Sequence, residues 1–151
     1  MFNLRAMLAI GASHCVRAAL RLEPFMPLHD DEIRSLSDAW IEHLLHSRGK
    51  VNEATFWAWD RLADLVQTEP EEAWKVIEAI RQATGSDYIL ECLAAGPLED
   101  LLAEHGDQFI DRVETLARRD QQFRKLLGGV WRNDISDKVW SRIRAVAGPS
   151  F

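Results

Sequence analysis

The residues best able to do chemistry in this sequence are Glu99, Asp100, Glu104 and His105, which follow the Gly96-Pro97 step. A set of carboxylates and an imidazole can ligate a metal or move protons. A plainer reading is preferred: acids in a first turn complement a helix dipole, and a histidine near a helix C-terminus does the same. Glu42, His43 and His46 form a second candidate, because His-x-x-His spacing can put two imidazoles on one helical face. No third ligand is indicated and the zincin glutamate pattern is missing, so these histidines are read as solvated or interhelical.

Other catalytic signatures are missing. There is no Gly-x-Ser-x-Gly elbow, and Gly128-Gly129 lacks the lysine and hydroxyl residue of a phosphate-binding loop. Cys15 and Cys92 stand far apart with no second pair, which argues against a disulfide framework and a four-cysteine zinc site and favours a reducing, cytoplasmic setting. Cys92 lies in the apolar run from Ile89 to Ala95 and is expected to be buried and inert. No catalytic residue, metal ligand or cofactor is assigned on these grounds, and a non-catalytic protein is the preferred reading.

Aromatic and basic residues offer binding chemistry instead. Of six tryptophans, Trp40, Trp59, Trp74 and Trp140 fall on apolar helical faces and are expected in the core. Trp57 lies about 160° from Trp59 around a helix, so both cannot face one core. Trp57 is therefore a candidate contact residue, as is Trp131 beside the glycine pair. Arg118, Arg119, Arg124 and Arg132 belong to a basic C-terminal third that could grip phosphate, with tryptophans nearby for stacking on bases.

Charge decides between these options. The net charge is −6, yet residues 25–111 hold nineteen acids against six bases, while residues 112–151 hold nine bases against four acids. Such a chain can show an acidic face to a basic partner, or pair its middle with its own C-terminal third. The acidic middle would repel a polyanion unless the basic face were well segregated, which places nucleic-acid binding second.

The elements that must position these residues are helices. Asp30 can cap a helix with Ile33, Leu36, Trp40 and Leu44 inward and a stop at Gly49; Phe56, Trp59, Leu62 and Val66 repeat until Pro70. Pro70 opens a helix burying Trp74, Ile77 and Ile80, and Ser86 or Asp87 starts a short one ended by Gly96. Pro97 opens another that stops near Gly106, Asp107 caps the next, Asp120 caps one ending at Gly128-Gly129, and Ser136 caps the last. No alternating β-branched run appears.

The fold expected is all-α, an irregular multi-helix bundle, with a short HEAT-like stack of antiparallel helix pairs as the alternative. With 47% hydrophobic and 28% charged residues, 151 residues suffice for one packed domain, placed at residues 26–151. Residues 1–25 are apolar with three arginines, and are read as a peripheral helix or an extension from an upstream start. Arg5, Arg17 and Arg21 interrupt the most apolar stretch, so no membrane span is expected.

The run Gly96-Pro97-Leu98-Glu99-Asp100-Leu101-Leu102, followed by His105-Gly106, Phe109-Ile110, Ala117, Asp120, Phe123-Arg124, Leu127 and Val130-Trp131, resembles an uncharacterised bacterial family, a domain of unknown function. The resemblance covers residues 56–146 and includes Trp59 and Pro70-Glu71-Glu72-Ala73. It implies a small bacterial helical protein and no catalytic residue. The function expected is a non-catalytic interaction module with a basic protein partner, in the manner of an immunity or antitoxin-like inhibitor. Its alternatives are nucleic-acid binding through the C-terminal third and a metal-dependent enzyme at the Gly96-Pro97 turn.

Overall fold

A computed structural model describes residues 26–47 and 53–149. Among them are seven α-helices and no strand: α1 (Asp30–Ser47), α2 (Glu53–Thr68), α3 (Pro70–Ala83), α4 (Asp87–Leu93), α5 (Glu99–Arg119), α6 (Gln121–Gly128) and α7 (Asp137–Val146). The all-α expectation holds. The expected stop at Gly49 and the segment 1–25 lie outside the described residues.

The caps follow local chemistry. Asp120 Oδ1 accepts the Phe123 N–H at 3.0 Å, and Ser136 Oγ accepts that of Val139 at 3.4 Å, both as the sequence requires. At α1 the expected cap shifts by one residue. Asp30 is already helical, the His29 carbonyl accepts the Ile33 N–H, and Glu32 returns a carboxylate to the His29 N–H at 2.8 Å. That is the reciprocal arm of a capping box, and it leaves Asp30, Asp31 and Glu32 together in the positive first turn.

The inward face of α2 is also rotated from the expected stripe. Thr55, Ala58, Leu62, Leu65 and Val66 are buried, whereas Phe56 is exposed and Trp59 half-buried. Small side chains at Thr55 and Ala58 let α2 approach α1, and the Thr55 hydroxyl meets the buried His43 Nδ1 at 3.1 Å. Phe56 is left at the rim, edge-on to the His43 ring, while Trp40 and Trp59 stack at 5.8 Å. Trp40 and Trp74 are core residues as expected; Trp59 and Trp140 only pack against the core.

Two expected breaks are kinks within one long helical run. Gly96 leaves helical geometry at φ −135° and ψ −105° inside a π-helical turn, Ala94–Leu98, that joins α4 to α5 and absorbs Pro97. His105 does so at φ −128° and ψ 19° inside α5, a break one residue before the expected stop at Gly106 and two before the expected start at Asp107. Gly106, just after the second kink, is where α7 crosses: a Cβ there would sit 2.9 Å from Val139 Cγ1. The kink and the glycine together let α7 lie against α5.

The buried apolar side chains of the described helices form one core cluster. Helix α1 packs on α2 and α3, while α5 packs on α2, α3, α6 and α7. Beyond α7 the chain runs back over α6, where the Gly148 N–H donates to the Arg124 carbonyl at 2.8 Å. Among the described residues no helix is long and apolar enough to cross a membrane.

Candidate functional site

Polar groups that hold the fold together must be set aside before any is offered to a ligand. His105 is one of them. Its Nε2 donates to the Val66 carbonyl at 2.8 Å, filling one of the acceptors that the C-terminal turn of α2 leaves open. His43 and His46 part company, His43 turning inward to Thr55 and His46 outward to the Glu42 carbonyl at 3.0 Å. Among the described residues no group of three or more His, Cys, Asp or Glu is placed to hold a metal ion. Cys92 is buried, and that burial pushes its thiol pKa up, away from nucleophilic reactivity.

The charge split is partly settled inside the molecule. Arg112 pairs with Glu71, Lys125 with Asp87, Lys138 with Asp107, and Arg142 with Asp111 and Glu114. Four of the nine C-terminal cations thus grip acids of the middle segment. Arg118 holds Glu114 at 3.2 Å and Arg132 holds Asp137, while Arg119 and Arg124 are exposed with no ion pair among the described residues. The bases therefore do not form one uncommitted strip.

The remaining candidates separate into two places. Trp57 is exposed on α2, beside an open groove of about 370 Å³ whose walls include Leu28, Asp31, Glu32 and Leu36. Glu99 and Trp131 are brought together elsewhere, where the loop after α6 folds onto the start of α5, the helix that also carries Asp100 and Glu104. Glu99 is the pin of that arrangement. Only 7% exposed, its carboxylate accepts the Trp131 backbone N–H and the Asn133 side-chain amide. Asn133 is the one described non-glycine residue with positive φ, at 26°, a conformation that asparagine tolerates better than most. Burial raises the Glu99 pKa, the negative charge of Asp134 adds to the rise, and the two hydrogen bonds oppose it.

The loop held in this way shows Trp131 to solvent with 66% of its surface exposed. On α5, Asp100 and Glu104 are one helical turn apart and exposed, with no cation paired to either among the described residues. Glu104 and Ser136 also line a shallow open cleft of about 320 Å³ beside the His105 kink. Two of its hydrogen-bonding side chains are committed, His105 to Val66 and the Ser136 hydroxyl to the α7 cap. Sequence reasoning overlooked Asn133 and Asp134; an Asn-Asp pair between Gly128-Gly129 and the Ser136 cap is a turn signal that could have found them.

Asp100 is affected by this crowding. Although its side chain reaches water, the surrounding protein and the charges of Glu99 and Glu104 raise its pKa to about 6. A carboxyl whose pKa is raised on folding favours the folded state fully below its unfolded value of 3.8 and loses that contribution as pH rises through 6. Asp100→Asn is therefore expected to stabilise the protein at pH 7 by about 1 kcal/mol, solvent screening having cut the effect. The gain should vanish towards pH 4. Thermal melts of both proteins across that range check it, and a gain independent of pH would show that charge crowding is not its source.

A model of DUF6869, a family of unknown function, matches residues 41–150. The chain belongs to that family. The DUF6869 match takes in α2 to α7 and all of the Trp131 face, and it is longer at both ends than residues 56–146, on which the resemblance rests. No curated protein and no solved structure matches the chain.

Proposed function

We propose that this protein is a non-catalytic interaction module that engages a basic protein partner through the face formed by Trp131, Asp100 and Glu104. The observation that carries the reading is a largely exposed tryptophan on a loop whose backbone is tied to Glu99, the neighbour in sequence of Asp100, on a helix where exposed Asp100 and Glu104 have no ion pair among the described residues. An aromatic anchor surrounded by one sign of charge suits a partner of opposite charge: the ring supplies buried area and the acids supply steering and register. An inhibitor of a basic enzyme, of the immunity or antitoxin kind and working in a bacterial cytoplasm, is the form of the proposal that needs only such a face.

Nucleic-acid binding draws less support, because Arg112, Lys125, Lys138 and Arg142 are already engaged with acids. A metal-dependent enzyme at the Gly96-Pro97 turn draws less still, since Glu99 and His105 are both spent on fixing the backbone.

The test is affinity capture from the source cell with wild-type protein, Trp131→Ala and the double reversal Asp100→Lys, Glu104→Lys. Glu99 is left unchanged because its reversal would release the loop. The expected result is a basic protein captured by wild type and weakened at least about tenfold by either variant, each verified as folded by circular dichroism. Capture unaffected by both variants, or of an acidic partner, would overturn the reading.

A further inference from the structure

We infer that the groove beside Trp57 is the seat of the chain's own residues 12–22, whose apolar side covers Trp57, Leu28 and Leu36 and whose arginines face Asp31 and Glu32. This surface is separate from the Trp131 face, so the inference and the proposed function stand or fall independently.

The groove lies between two helices and the stretch of chain that leads into α1. Leu28 lines it, as do Asp31, Glu32 and Leu36 of α1 and Trp57 and Arg61 of α2. Trp57 keeps 48% of its surface open to water there, which leaves an uncovered apolar ring in a concave setting. The charge of the walls is one-sided. Arg61 already donates to Asp64 at 2.9 Å, whereas Asp31 is almost fully exposed and meets Arg34 only at 4.0 Å, the outer limit of an ion pair. Glu32 and Asp31 both stand in the first turn of α1, so the groove has a negative rim beside an apolar wall.

A covering segment must therefore be apolar on one side and cationic on another, and the chain supplies one at this place. The Leu28 N–H donates to the Glu72 carboxylate at 3.1 Å, and Lys75 holds the other oxygen of that buried acid. Residues 1–25 thus join the helices at the wall of the groove itself. Before Pro24 they carry Arg5, Arg17 and Arg21 against a single acid, Glu23. At helical spacing Ala12, Val16, Ala19 and Leu20 share one side, and Arg17 and Arg21 fall one turn apart beside it. Pro24 disfavours helical backbone at Glu23, which suits a reversal of the chain between residue 22 and Leu28. So short a tether raises the effective concentration of the segment to the order of millimolar, and a separate basic partner would have to displace it.

The experiment is limited digestion of the full chain by trypsin, with cleavage after Arg17 and after Arg21 followed by mass spectrometry. A synthetic peptide of residues 10–25 is digested alongside. Wild type is compared with Trp57→Ser and with Asp31→Asn, Glu32→Gln, where glutamine can still accept the His29 N–H; circular dichroism verifies that each is folded. Wild type is expected to be cut at both sites at least about tenfold more slowly than the peptide, since cleavage follows the population of the open form. Each variant should be cut there at least about fivefold faster than wild type, with cleavage after Arg119 unchanged. Rates after Arg17 and Arg21 that do not rise in either variant would overturn the inference. Protection of wild type that disappears on dilution would overturn it in favour of a second copy in the groove. Wild type cut as fast as the peptide would overturn it too, and would leave the groove to a separate partner.

Discussion

Replacing Arg81 by alanine is expected to cost about 4 kcal/mol, the scale of breaking a buried ion pair by removing one partner. Its side chain is only 5% exposed and joins α3 to the start of α6. It bonds Glu78 through Nε and Nη2, and Asp120 and Gln122 through Nη1, while covering Phe123. Alanine would leave Glu78 and Asp120 facing each other without their cation and open a void beside the ring. Arg81→Met, which restores the stem over Phe123 without the charge, should recover a part of the loss.

The pH dependence has a definite sign. Asp120 has a lowered pKa, chiefly from the Phe123 N–H and then from Arg81, so its contribution is present above the ordinary value of 3.8 and fades as pH falls through the lowered one. The gap between wild type and Arg81→Ala should therefore narrow in acid. Urea unfolding at pH 7 and below pH 3 would check both claims, and a loss under about 1 kcal/mol at pH 7 would mean the network is dispensable.

Gly106→Ala is expected to cost about 2 kcal/mol although alanine is the better helix former. The added Cβ would stand 2.9 and 3.0 Å from the two γ-methyls of Val139. Val139 is buried and β-branched, so its rotamer cannot swing away, and α7 must shift instead. In the variant with Val139→Ala as well, the clash disappears. The double variant should lose at least about 1 kcal/mol less than the two single losses combined. Additive losses in denaturant unfolding would show that the close approach is not what requires glycine.

These two positions mark different limits of sequence reading. The caps at Asp120 and Ser136 and the start at Pro70 were legible because each depends on side chains within three residues of the helix end. The two kinks were half legible. Glycine signals at Gly96 and Gly106 marked real departures from helix, but whether the chain stops or bends depends on what packs across it, and at Gly106 that is Val139. Arg81 was not legible as a structural tie. A cation in the last turn of a helix reads as a solvated one until α6 is placed over it.

By itself the sequence determined an all-α chain, with a core drawn from its leucine, isoleucine and tryptophan stripes and an acidic middle followed by a basic C-terminal third, because periodicity, capping and net charge are local or additive properties. Tertiary structure alone decided how those charges are used. It closed Arg112, Lys125, Lys138 and Arg142 onto acids distant in sequence, spent His105 on a helix end, and rotated α2 so that Phe56 lies outside. It also buried Glu99 under the loop that shows Trp131 to solvent. Ion pairs and exposure depend on which surfaces meet, and residues more than thirty positions apart meet only when the helices pack.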